Sequence, residues 1–237
     1  YALWNDTNQQ YDAPTRLVTG AAGAAYILTG SAATSWYMQI ADSATTSPAG
    51  DIDVRAKINL NGSSFSAQAA LASKFGGGGN RSWRFEIMST GALFFGWSVD
   101  GSTLIDKNST AVLTGTQLTD DVWVRATLDV DNGASGNDLK FYTSPDGATW
   151  TQLGTTITGA GTTSIFNSTS TTQFIGRGAT SLVQQDHAIS FYEMEVYASL
   201  DGTSRIVDID VGSMPDRTAG GATSNTFIDD VGSTVTV

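Results

Sequence analysis

DVWVRATLDVDNGASGNDLKFYTSPDGATWTQLG, residues 121–154, decides the fold. In its first half Val122, Val124, Ala126, Leu128 and Val130 fall on one side of an extended chain. That period of two marks a half-buried strand. A Gly/Asn-rich loop follows. Residues 139–154 then read as two strands about a turn at Pro145-Asp146-Gly147, residue types that set turn dihedrals.

The same alternation recurs on both sides of this stretch. DIDVRAKINL (51–60) places Ile52, Val54, Ala56, Ile58 and Leu60 on one face, with Arg55, Lys57 and Asn59 on the other. RSWRFEIMS (81–89) aligns Trp83, Phe85 and Ile87; GALFFGWSVDG (91–101) aligns Leu93, Phe95, Trp97 and Val99. The STG between these two reads as a hairpin turn. AISFYEMEVYASLDG (188–202), SRIVDIDVG (204–212) and TFIDDVGSTVTV (226–237) complete the set. No segment carries a helical stripe. Roughly ten to twelve short strands with turns at close intervals predict a sandwich or a barrel, and the length favours one two-sheet jelly roll. Residues 1–35, with the small-residue run GAAGAAYILTGSAATS (20–35), are expected to form a separate arm or extra strand, a docking segment; 36–237 is the sandwich.

Composition agrees. Ser and Thr make up roughly a quarter of the 237 residues, and only Glu86, Glu193 and Glu195 are Glu, so turn and strand formers outweigh helix formers. No apolar run reaches the roughly 18–20 residues of a spanning helix, so membrane insertion is not expected. A net charge of -11 without a basic cluster argues against nucleic acid. Zero Cys removes disulfides, thiolate metal sites and thiol catalysis, and a single His, His187, removes multi-His metal sites. Asp186 beside His187 points the other way on an extended chain, so the two make no ready dyad. The chain opens on Tyr1 with neither initiator Met nor signal peptide, so a piece of a larger or processed protein is expected.

From DIDVRAKI through ALASKF, GNRSWRFEI and GALFFGWSVDG to 121–154 and TTSIFNSTSTTQFIGRG, the order resembles a known family. It is similar to the concanavalin A-like (laminin-G-like) jelly rolls of minor tail and other virion surface proteins of bacteriophages, notably those of actinobacteria. FIDDVGSTVTV resembles the family's closing strand, with Val235 where Trp is usual. The resemblance covers residues 36–237; the first 35 depart from the pattern. It implies an all-β, two-sheet antiparallel sandwich whose concave face and rim loops, in the wider superfamily, often bind carbohydrate, sometimes with Ca²⁺. It also implies a location on the virion exterior, other virion proteins and host surface glycan as partners, and a homo-oligomer in the particle.

The candidate site residues follow. Glu193 and Glu195, two apart on a strand, share one face with Cα atoms about 6–7 Å apart. Retaining glycosidases use carboxyl pairs about 5–5.5 Å apart, so these two form the catalytic alternative to a solvated strand face. Tyr192, Met194 and Val196 are expected to point into the core. Trp123, out of phase with Val122 and Val124, is expected on the outer face as a sugar-stacking platform or interface; Trp36 and Tyr37 are ligand-binding candidates of the same kind. Glu193 and Glu195 join them as hydrogen-bonding candidates. Asp129, Asp131 and Asn132 in DVDNGASGND are the candidate Ca²⁺ ligands, set against the reading of an Asn-Gly turn, and no other cofactor is expected. The favoured function is a non-enzymatic, tail-associated module that binds host glycan. A decoration or fibre module without sugar binding and a glycoside hydrolase are its rivals.

Overall fold

The structure is a computed structural model. It describes residues 38–62, 68–174, 189–210 and 231–232, together with the backbone of short strands within 4–28 and 226–236. His187, Trp36, Tyr37 and residues 229–230 lie outside the described residues.

The first strands are β1 (Trp4–Asn5), β2 (Gln10–Tyr11), β3 (Thr15–Val18), β4 (Ala24–Leu28) and β5 (Met38–Ile40). Then come β6 (Ile52–Asn59), β7 (Ala69–Phe75), β8 (Arg81–Ile87), β9 (Ala92–Trp97) and β10 (Ile105–Val112). A 3-10 turn, Gly115–Leu118, leads to β11 (Val122–Asp129), β12 (Gly136–Ser144), β13 (Thr151–Gln152) and β14 (Ile157–Ala160). The last are β15 (Thr172–Phe174), β16 (Ile189–Tyr197), β17 (Arg205–Asp210), β18 (Thr226–Ile228) and β19 (Thr234–Thr236).

β1 and β2 pair only with each other, and the remaining strands build two antiparallel sheets. One has eight strands in the order β10-β9-β8-β7-β15-β5-β19-β18. The other has nine: β13-β12-β11-β6-β16-β4-β3, with β14 also on β12 and β17 on β16. β3 and β4 therefore extend the larger sheet along the edge of β16. The inward faces meet in one core, where Trp83, Phe85, Phe95 and Trp97 face Ile52, Val54, Val124, Phe141, Phe191 and Met194. Trp83 and Phe95 stack with ring centroids 6.4 Å apart. Burying each such side chain contributes about 1.5–3 kcal/mol.

The apolar alternations of 51–60, 81–87 and 121–128 all point into this core. Two expectations are corrected. Val99 lies past the end of β9 and is 43% exposed. In β16, Phe191 rather than Tyr192 enters the core, because the register with β6 shifts between Phe191 and Glu193. That bulge lets both Phe191 and Met194, three residues apart, face inward.

Three turns share the pattern Ser-x-Asp-Gly: Ser98–Gly101, Ser144–Gly147 and Ser199–Gly202. In each, the Asp carboxylate accepts a backbone N–H two residues on, Ser102, Ala148 and Thr203 in turn. Each Gly holds positive φ, between +72° and +81°.

Candidate functional site

The outer face of the nine-stranded sheet carries most of the residues singled out by the sequence. Asp53, fully buried there, takes the Nη2 of Arg55 on Oδ2 at 2.7 Å. The Nε and Nη2 of Arg125 donate to its two oxygens at 2.8 Å each. Both guanidiniums lie against aromatic rings: Arg55 on Tyr197 and Trp150, Arg125 on Tyr142 and Trp150. A ladder of alternating cations and rings results, and Trp150 stands at its centre.

Glu193 and Glu195 do share this face. Glu193 sits 3.4 Å from Lys57 Nζ, and Glu195 accepts from Arg55 at 3.4 Å and Arg205 at 3.2 Å. Burial pushes Glu193 up, with Lys57 opposing. Both carboxylates thus act as partners to neighbouring cations. Tyr192 lies under Lys57 Nζ, 5.4 Å from its ring centre, and its phenol is pushed up to about 12 by burial and by Asp121.

Trp123 points away from the core, but it is only 8% exposed. The 145–150 turn folds over it. A Cβ on Gly147 would lie 2.8 Å from the indole, and Trp150 meets it edge-on at 6.4 Å. The stacking platform expected at Trp123 is closed by its own hairpin.

In the loop of Asp129, Asp131 and Asn132, the carboxylate and amide oxygens serve the backbone. Asp129 Oδ1 accepts from Asp131 N–H, Asp131 Oδ1 from Gly133 N–H, and Asn132 Oδ1 from Ala134 and Gly136 N–H. Among the described residues no group of three or more His, Cys, Asp or Glu is placed to hold a metal.

The outer face of the eight-stranded sheet holds a different arrangement. Cross-strand pairing puts Gln39, Gln173, Ser73, Arg84, Gly96 and Asp106 in one row over β5, β15, β7, β8, β9 and β10. With strands about 4.8 Å apart the row is about 24 Å long. Beside it Glu86 pairs with Phe94, which in turn pairs with Asn108. Arg84 is the hub. Its Nη1 approaches Glu86 Oε1 at 3.5 Å, its Nη2 donates to Asp106 Oδ2 at 3.2 Å, and its guanidinium covers the rings of Phe94 and Phe75. Gly96 permits this, since a Cβ there would lie 2.5 Å from Asp106 Oδ1 and 3.1 Å from Arg84 Nε.

Among the described residues three buried atoms on this face lack a hydrogen-bond partner: Arg84 Nε, Glu86 Oε2 and Gln173 Oε1. Burial pushes Glu86 up to about 7, with Arg84 opposing and Asp106 adding to the rise. Near neutrality its carboxyl can therefore either donate or accept a hydrogen bond. Side-chain exposure falls from 42% at Asp106 on the edge strand to 13% at Arg84 and 1% at Glu86, so the row opens to solvent at the β10 edge. Incompletely paired polar groups beside aromatic rings, with one perturbed carboxyl, make this face the candidate site. The sequence reading passed over it. Its signal was Arg84-Phe85-Glu86, two charges alternating with core aromatics and including one of only three Glu.

No family model matches the sequence, and no curated protein matches it. Among solved structures, the binding domain of botulinum neurotoxin DC, in complex with rat synaptotagmin II, is similar over 79% of this chain and 42% of that one. The identity is 14% and the TM-score 0.54. The binding domain of botulinum neurotoxin serotype C1 matches over 78% and 42%, at 13% identity and TM-score 0.53. A heptameric SAP-like pentraxin from Limulus polyphemus matches over 73% and 75%, at 14% identity and TM-score 0.47. The matches to the neurotoxins span less than half the length of those chains. At these identities the likeness shows the fold, a jelly-roll β-sandwich.

Proposed function

We propose that this chain is a non-enzymatic carbohydrate-binding module on the exterior of a bacteriophage particle, part of a tail-associated protein that contacts host-surface glycan. The observation that carries the binding role is the polar row across the eight-stranded sheet, which reaches solvent where Arg84 and Asp106 meet over the rings of Phe94 and Phe75. A sugar can set its hydroxyls on such charged groups and its C–H face on the rings. The two neurotoxin domains of similar fold are binding domains, which fits a binding role for this chain. The virion setting rests on the sequence resemblance. Repeated copies in a particle would turn a weak single site into firm attachment.

Glycan-array and host cell-wall binding by the protein displayed in many copies on beads tests this. Arg84→Ala and Gln173→Ala are expected to weaken binding about tenfold or more, one lost hydrogen bond of about 1.4 kcal/mol each, with the circular dichroism spectrum unchanged. A folded wild type that binds no glycan overturns the reading. The rival of a structural virion module draws on the ladder of Arg55, Arg125, Tyr142, Trp150 and Tyr197, the residue types that anchor protein interfaces. It predicts particle attachment lost on Trp150→Ala without any sugar binding.

A further inference from the structure

We infer that the sandwich has a second ligand site, for a neutral polyhydroxylated ligand of mono- or disaccharide size, in the cleft where β11 begins and β12 ends. The cavity there measures about 350 Å³, within the range of small-molecule sites. It belongs to the nine-stranded sheet, so it is separate from the Arg84 row and its failure would leave that site untouched.

Thr116 and Gln117 of the 3-10 turn Gly115–Leu118 line it together with Val122, Thr143 and Pro145. Two of these residues are held in place. Gln117 is held at both ends of its amide: Oε1 accepts from Thr114 N–H at 2.9 Å, and Nε2 donates to Thr143 Oγ1 at 3.1 Å. Pro145 sits inside the Ser144–Gly147 turn, where Ser144 Oγ accepts from the backbone N–H of Asp146 and Gly147. A preorganised cleft loses little freedom when a ligand enters.

Its hydrogen-bonding capacity is largely unspent. Gln117 keeps its second amide N–H, and Thr143, having accepted, keeps its own hydroxyl proton. Among the described residues the hydroxyls of Thr116 and Thr151, both in the lining, have no hydrogen-bond partner. Asp120 accepts from Thr119 Oγ1 through one oxygen, which leaves its second oxygen as an acceptor, while Asp121 is taken up by Asn59 Nδ2 and the Tyr192 phenol. One carboxylate acceptor among hydroxyl groups that can donate or accept suits a sugar diol. Among the described residues no Lys or Arg lines the cleft, and its two charged residues are both Asp, so an anionic ligand is refused. Val122 and Pro145 offer the apolar patch on which a sugar's C–H face can rest.

The test is a ¹H–¹⁵N titration of the full chain with glucose, galactose, N-acetylglucosamine, rhamnose and their β-linked disaccharides at millimolar concentration. At least one sugar is expected to give saturable shifts at the Gln117 side-chain amide and around residues 116–121. Thr151→Phe, which fills the cleft from an exposed strand position, is expected to weaken that binding at least tenfold. Thr116→Val should weaken it severalfold and serves if the first variant does not fold. Arg84→Ala should leave these shifts unchanged, which separates this site from the row on the other sheet. Absence of shifts with every sugar overturns the inference, as does binding insensitive to both cleft variants. Saturable shifts with propylammonium chloride in place of the sugars assign the cleft to a cation and overturn it likewise.

Discussion

Glu86 shows how one side chain changes meaning with its neighbours. In the sequence it is one of three Glu in an alternating strand, and the pair Glu193 and Glu195 draws the eye instead. In the fold that pair is matched by Lys57, Arg55 and Arg205, while Glu86 keeps one oxygen unpaired and buried. Its pKa of about 7, against 4.5 ordinarily, has a consequence for stability. The folded state holds the proton more tightly than the unfolded chain. Its contribution is therefore complete below pH 4.5 and is lost as pH rises through 7. Glu86→Gln keeps the shape and cannot ionise. Relative to wild type, the variant should gain about 3 kcal/mol between pH 4 and 8, read from denaturant unfolding at each pH. A constant difference across that range would show that burial does not hold the proton. The comparison within one fold cancels Glu193, which burial also raises.

At the scale of elements, strands with one apolar face and one polar face were legible, and strands without that contrast were not. β10 alternates no apolar residues: Asp106, Lys107, Asn108 and Thr110 are exposed, because an edge strand pairs through its backbone on one side only. β5 and β15 are three residues each, too short to show a period. The bulge at Tyr192 is invisible locally, since only the partner strand β6 reveals the shifted register. The turn at Pro145-Asp146-Gly147 was legible, but its role as the cover of Trp123 was not. Gly147→Ala places a side chain at φ +72° and a Cβ 2.8 Å from the indole. It should cost about 1–3 kcal/mol in chemical denaturation. Gly77→Ala, where a Cβ meets nothing within 4 Å, should stay within about 0.5 kcal/mol of wild type. Equal costs at the two positions would mean that the turn does not pack on Trp123.

For the whole molecule, part of the -11 charge is turn chemistry: Asp100, Asp146 and Asp201 are each held below the usual carboxylate range by the N–H and O–H groups of their own turns. A ligand without charge should therefore bind with less than about a twofold change in Kd between 50 and 500 mM NaCl, measured calorimetrically. A steep loss of affinity with salt would instead mark a cationic partner and contradict the neutral glycan. Sequence alone determined the fold class, the inward face of the main strands and the place of the turns. These depend on dihedral preference and on period-two contrast, which act between residues close in the chain. Strand order decided the rest. Arg84 and Gln173 are 89 positions apart in sequence and share one row only because β7 lies between β8 and β15. Glu86 meets Arg84 and Phe94 for the same reason: across a sheet, neighbours come from hydrogen-bonded strands, and no local pattern encodes which strands those are.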